Sequence, residues 1–200
     1  MKISHLGENC LEITFSPKRG ENVNLLLNPF EGLKWDKIRP DILILTKPQE
    51  KRKQTERVPF FVEWPGEYEI KGVFIQGIEA RKSTIYTIEA EEIKILYLGD
   101  FSQKELSSEQ LEKLNSIDVL IIPVGKDFSP KKIQNIISQI EPKVVIGAES
   151  GEEKSSIKLE EFLKAMGAKE VEKRKKVVLK KKDLKEEGIE VFALSPKINK

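Results

Sequence analysis

One histidine, His5, and one cysteine, Cys10, are all that the 200 residues offer of the side chains most used for zinc ligation and nucleophilic catalysis. Zinc centres built from several Cys and His ligands are thereby excluded. A Ser-His-Asp or Cys-His arrangement could draw only on His5 as its base. A lone Cys forms no disulfide within the chain, which agrees with a reducing compartment. Charge of one sign is also lacking: 35 Lys and Arg stand against 33 Asp and Glu, a net +2. No bulk field points to nucleic acid or an acidic membrane, so any basic site must be local. No run approaches the roughly 18 apolar residues of a membrane span. The opening Met1-Lys2-Ile3-Ser4-His5-Leu6-Gly7 lacks the basic and apolar regions of a signal peptide. The expectation is a cytoplasmic protein with no membrane contact. No Pro/Ser-rich linker interrupts the chain, which predicts a single domain over residues 1–200. At this length a chain hides roughly 70% of its unfolded surface, so no structural metal is needed. The Lys/Glu/Ile-rich composition fits both a hyperthermophile and an AT-rich genome, and leaves growth temperature open.

The apolar residues fall mostly into short runs rich in β-branched side chains and bounded by turn residues, the pattern of strands. Residues 11–15 alternate, Ser16-Pro17-Lys18-Arg19-Gly20 supplies a turn, and residues 23–27 complete a hairpin. Residues 41–46 are apolar through their centre and predict a central strand covered on both faces. Residues 60–62 lead to a turn at Trp64-Pro65-Gly66-Glu67, then an alternating run over 68–78, with further strands at 83–88 and 93–98. The first half therefore predicts a largely antiparallel sheet. Beyond Gly99-Asp100 the period changes. Ser107 or Ser108 caps a helix bearing Leu111 and Leu114, and residues 117–123 form another doubly buried strand. Ser129-Pro130 opens a helix with Ile133, Ile136, Ile137 and Ile140 that Pro142 stops. A strand at 143–147, a loop at 151–156 and a helix from Ile157 to Met166 ended by Gly167 follow, with closing strands at 177–179 and 189–194.

Several segments carry a family resemblance in order. Leu6-Gly7-Glu8-Asn9-Cys10-Leu11-Glu12-Ile13 is similar to LGHSCFxI, Leu25-Leu26-Leu27-Asn28-Pro29-Phe30 to ILIDPF, and Pro65-Gly66-Glu67-Tyr68-Glu69-Ile70-Lys71-Gly72-Val73 to PGEYEVxGV. Leu98-Gly99-Asp100 resembles HLGD, the segment from Asp118 to Gly125 resembles DVLLIPVG, and Glu141-Pro142-Lys143-Val144-Val145-Ile146 resembles EPKIVIPMH. These are motifs of the metallo-β-lactamase-fold superfamily, in its small lactonase-like, Zn-dependent hydrolase-like branch. The resemblance implies an α/β fold, a four-layer αββα sandwich of the metallo-β-lactamase type, and a two-metal, water-activating hydrolase.

The departures fall on the ligands. The family's THxHxDH loop corresponds to Thr46-Lys47-Pro48-Gln49-Glu50-Lys51-Arg52, so Lys47, Gln49, Lys51 and Arg52 stand where the resemblance places three His and one Asp. Tyr97 stands for the His of HLGD and Glu149 for the His of PMH, leaving Asp100, the family's bridging ligand. A charged Lys or Arg has no lone pair to give, and its charge opposes a metal cation. Zinc hydrolysis is not expected. Two readings follow. In the first, the chain is a catalytically degenerate binding or scaffolding protein without cofactor, whose basic loop of Lys47, Lys51, Arg52 and Lys53 binds an anion in place of the metals. In the alternative, a residual carboxylate site of Asp100, Glu149, Glu67 and Glu8 holds Mg²⁺ or Mn²⁺ for hydrolysis of an ester, lactone or phosphoester. Whether the chain is an enzyme stays open at this point. Each residue also has a plainer reading: a solvated loop, Glu67 bracing the Pro65-Gly66 turn, Asp100 capping backbone donors.

The second basic run, Lys173-Arg174-Lys175-Lys176 and Lys180-Lys181-Lys182, suits either a polyanion or a protected edge strand. It has no interleaved aromatics, so nucleic acid is weakly supported. A protein partner or second copy meeting the pocket rim or the Val177 strand is a third reading. His5 and Cys10 read as a tolerated polar residue and a small buried hydrophobe on the first hairpin. The segment around Gly125 lacks phosphate-loop spacing. Trp35 and Trp64 read as core or pocket wall on size.

Overall fold

A computed structural model of the chain describes residues 1–17, 20–34, 37–48, 55–125, 128–149 and 159–197. Trp35, the basic residues Lys51, Arg52 and Lys53, and the loop expected at 151–156 lie outside them. Two sheets face each other. The first contains β1 (Lys2–Gly7), β2 (Cys10–Phe15), β3 (Val23–Leu27), β4 (Ile42–Ile44) and β5 (Phe60–Val62), with β13 (Lys176–Val178) beside β1, in the order β13-β1-β2-β3-β4-β5. The second contains β6 (Gly66–Ile70), β7 (Val73–Ala80), β8 (Ser83–Ala90), β9 (Ile93–Tyr97), β10 (Val119–Val124), β11 (Val144–Glu149), β12 (Lys173–Arg174) and β14 (Glu190–Leu194), in the order β12-β14-β11-β10-β9-β8-β7-β6.

The alternation explains the layering. Inward residues of the first sheet, Ile3, Ile13, Leu25 and Ile44 among them, pack against Ile75, Ile88, Ile95 and Ile121 of the second. The opposite face of the second sheet, with Leu96, Leu120, Ile122 and Val145, is covered by α1 (Ser108–Leu114), α2 (Pro130–Ile140) and α3 (Leu159–Ala165) through Leu114, Ile133, Ile136 and Phe162. Outside the first sheet, Leu26, Leu43 and Leu45 lie under Phe30, Leu33, Ile38 and Val58, contributed by loops and by the end of a 3-10 turn at Thr55–Arg57. The α/β sandwich expected from the motifs is the fold observed. Among the described residues, no helix is long and apolar enough to cross a membrane.

Local details differ from expectation. The run over residues 68–78 is two strands, broken at Lys71-Gly72, where both φ angles are positive at 52° and 74°. That is the backbone a two-residue hairpin turn requires. The first half is largely antiparallel as expected, but β4, predicted as a central strand, pairs parallel to both β3 and β5. Its neighbours are joined to it by long crossovers rather than hairpins. Trp64 is 58% exposed rather than core, because it sits on the connection between β5 and β6 at the end of the sandwich. The expected hairpin of β2 with β3 forms in the register Leu11↔Leu27 to Phe15↔Val23. Ser107 is the cap of α1, and β13 is an edge strand as its flanking Lys residues suggested.

The chain passes from one sheet to the other at opposite ends. Residues 63–65 link β5 to β6 at one end, and Lys175 links β12 to β13 at the other.

Candidate functional site

Strands from both sheets end together around Asp100. β3 ends into Asn28, which adopts a left-handed backbone with φ 44°. β4 ends into Leu45-Thr46-Lys47, β9 into Leu98-Gly99-Asp100, and the β1–β2 turn supplies Asn9. Apolar strands hold these ends in place, so polar side chains on the first residues beyond them converge from four directions.

Asn28 and Thr46 join the ends of β3 and β4. The Thr46 N–H donates to Asn28 Oδ1 at 2.9 Å, and Asn28 Nδ2 donates to Thr46 Oγ1 at 2.7 Å. The Thr46 hydroxyl in turn donates to Asp100 Oδ2 at 2.7 Å and accepts from the Asp100 N–H at 3.3 Å. Asn28 Nδ2 also lies 3.4 Å from Asp100 Oδ2 and 3.1 Å from Tyr97 Oη. On the other carboxylate oxygen, Asn9 Nδ2 approaches at 3.4 Å and the Lys47 ammonium at 3.5 Å. Tyr97 donates to the Asn9 carbonyl at 2.5 Å, closing the ring of contacts. The expected capping of backbone donors by Asp100 is thus replaced largely by side-chain donors, because Asn28, Thr46 and Asn9 reach its carboxylate first.

The loop closes this tightly only because residue 99 is Gly. Its φ is +49°, and a Cβ there would sit 2.3 Å from Thr46 Cγ2. Electrostatically, the floor is kept neutral. Burial, together with the neighbouring Asp100 charge, pushes the Tyr97 hydroxyl well above its usual range, so it stays protonated and donates. Burial and the nearby Glu12 push the Cys10 thiol up in the same way, which leaves it unreactive. The rim is open: the Lys47 and Asp100 side chains are 43% and 25% exposed.

The other sequence candidates disperse. Glu67 is exposed on β6, with Gln76 Nε2 3.5 Å from its Oε1. The Pro65-Gly66 turn is braced instead by Tyr68, whose hydroxyl donates to the Trp64 carbonyl at 3.0 Å, while the Tyr86 hydroxyl, 3.5 Å from the same carbonyl, donates to the Leu45 carbonyl at 3.1 Å. Glu149 ends β11, and Glu8 occupies the β1–β2 turn with φ 50°. Among the described residues, no three His, Cys, Asp or Glu side chains group as a metal centre would need. Lys47 is the one residue of the basic-loop candidates within the described residues, and it faces Asp100. His5 is buried, with Nε2 2.8 Å from the Glu8 carbonyl. Asn28, Thr46 and Asn9 were not singled out from the sequence. The available signal was position, since Asn28 and Thr46 lie at the ends of buried apolar strands.

The sequence profile of the β-lactamase superfamily domain matches residues 2–148, a span that contains every member of this cluster. No protein of curated function matches the chain significantly. Among solved structures, a Thermotoga maritima protein described as a candidate Zn-dependent hydrolase of the metallo-β-lactamase superfamily is 24% identical, with 98% of this chain and 99% of that one covered at a TM-score of 0.75. A candidate metal-dependent hydrolase from Parabacteroides distasonis is 13% identical over 96% of this chain and 91% of its own, at 0.66. The metallo-β-lactamase fold protein YhfI of Bacillus subtilis is 10% identical over 73% of this chain and 84% of its own, at 0.53. The profile, the two facing sheets and the strand ends that meet at Asp100 agree, and this chain belongs to the β-lactamase superfamily domain family, with the metallo-β-lactamase fold.

Proposed function

We propose that this chain is a binding member of its superfamily that holds a small anion at the Lys47–Asp100 pair and does not hydrolyse substrate at a metal pair. The observation that carries this reading is the Lys47 ammonium 3.5 Å from Asp100 Oδ1, on the carboxylate that the family resemblance assigns to metal bridging. A protonated lysine donates and cannot ligate, and its charge repels an incoming cation. The second oxygen is committed to the Thr46 hydroxyl at 2.7 Å. With Lys, Tyr and Glu at the positions where the resemblance implies His, this donor set does not fit a metal pair.

A half-exposed ion pair contributes little to stability and exchanges partners readily. An anion offering two or three oxygens competes with Asp100 for Lys47 by charge-assisted hydrogen bonds. Removing the Asp100 charge therefore favours the anion. In calorimetry with inorganic phosphate, Asp100→Asn is expected to bind several-fold more tightly than wild type, and Lys47→Ala to lose binding. The hydrolase descriptions of the structural neighbours supply the competing reading. Near-stoichiometric zinc, manganese or magnesium by plasma mass spectrometry, lost in Asp100→Ala and matched by chelator-sensitive hydrolysis of an ester, lactone or phosphodiester, would overturn the binding reading. Phosphate affinity that ignores Lys47 would overturn it as well.

A further inference from the structure

We propose that copies of this chain associate head to tail through opposite ends of the sandwich. The end formed by β5, β6 and their connection receives the end formed by β12 and β13 of a second copy. The segments that form the two ends differ in charge. Residues 60–70 carry Glu63, Glu67 and Glu69 and no Lys or Arg. Residues 173–182 carry seven Lys and Arg and no Asp or Glu. Three of the seven are engaged within the chain, Lys173 with Glu160 at 2.6 Å, Lys181 with Asp118 at 2.9 Å and Arg174 over the Phe192 ring at 5.7 Å. Lys175, Lys176, Lys180 and Lys182 are exposed.

Among the described residues, each end also presents strand edges with no neighbouring strand. β5 and β6 terminate the two sheets at the acidic end, and β13 and β12 terminate them at the basic end. An open edge is a row of backbone donors and acceptors ready for another strand. The exposed apolar side chains follow the same division. The large exposed hydrophobics among the described residues are Phe60, Trp64 and Phe74 at or beside the acidic end, and Val178 and Ile189 at or beside the basic end. Trp64 is presented on a held turn, since its carbonyl accepts from Tyr68 at 3.0 Å.

Charge selects which ends meet. Basic against basic or acidic against acidic sets like charges opposite one another, which opposes pairing. The Lys row that shields β13 from indiscriminate strand addition thus leaves the acidic end as the surface of matching sign within the same molecule. A contact between two different patches is heterologous, so it propagates unless rotation closes it into a ring.

Sedimentation velocity on the full chain tests this. Wild type is expected to show mass that rises with concentration at low salt and falls to monomer at high salt, as screened surface charges require. Glu67→Lys with Glu69→Lys disables the acidic end, and Lys176→Glu with Lys180→Glu disables the basic end. Each double variant alone is expected to be monomeric. Mixed, the intact ends still match and the two reversed ends are again opposite in sign, so association should return, which also shows that both variants are folded. Wild type that stays monomeric at low salt would overturn the proposal, as would association untouched by either double variant. A monomer whose basic end binds a single-stranded oligonucleotide, with binding lost in the Lys176/Lys180 variant, would assign that end to polyanions instead.

Discussion

At the scale of single residues, Gly99 is the position with least freedom. Its positive φ and the 2.3 Å approach that a Cβ would make to Thr46 combine backbone strain with a clash inside the hydrogen-bonded cluster. Gly99→Ala is therefore expected to cost about 2 kcal/mol or more in chemical denaturation. It should also alter the phosphate response, because the Asp100 loop cannot keep its place. His5 makes a second residue-level prediction. Burial outweighs its hydrogen bonds to backbone and lowers its pKa from the ordinary 6.5. The folded state thus prefers neutral imidazole. The associated stability is complete above the unfolded value and declines as pH falls below it toward the folded one. As the single histidine of the chain, His5 gives an isolated imidazole resonance, whose titration midpoint should lie below 6.5.

At the scale of elements, α1 is tied by one capping box. Ser107 Oγ accepts from the Gln110 N–H at 3.2 Å, and the Gln110 side chain accepts from the Ser107 N–H at 2.9 Å. Gln110 Nε2 also donates to the Glu79 carbonyl of β7 at 2.8 Å. Ser107→Ala should cost about 1 kcal/mol. Gln110→Ala should cost more, because it also detaches the helix from the sheet, and thermal denaturation of the two variants orders them. That cap was legible in the sequence, as were β3, β10 and α2, because their signals are local: an apolar run, a Ser before a helix, a Pro at its first turn. The Lys71-Gly72 turn was hidden because exposed Phe74 carries the even-numbered alternation of Tyr68 and Ile70 past it, while the inward positions shift to Val73 and Ile75. The parallel pairing of β4 was hidden because register depends on partners far along the chain. The candidate site was half legible. Asp100 and Lys47 stood out against the family motifs, whereas Asn28 and Thr46 acquire meaning only where two sheets bring their strand ends together.

At the scale of the whole molecule, acid stability should show a second phase controlled by Asp118. Burial opposes its ionisation, but the Lys181 hydrogen bond, the Lys94 N–H and the charges of Lys181 and Lys143 together hold its carboxyl below the usual 3.8. Lys181 lies 2.9 to 3.0 Å away, and the Lys94 N–H donates at 3.0 Å. A depressed carboxyl contributes stability that is present above its unfolded pKa and lost as pH falls through the folded value. Urea midpoints measured against pH should therefore fall first below the ordinary histidine range and again below 3.8. Lys181→Met should flatten the second fall and leave the first.

The cluster at Asp100 has a mechanical consequence. Thr46 and Asn28 belong to one sheet and Tyr97 and Asp100 to the other, so their hydrogen bonds form a rivet across the seam between the layers. Whatever draws Lys47 or Thr46 away from Asp100 loosens that rivet. Occupancy of the rim and slippage between the layers are then one thermodynamic cycle, and amide exchange at the ends of β4 and β9 would sense a ligand held by side chains alone.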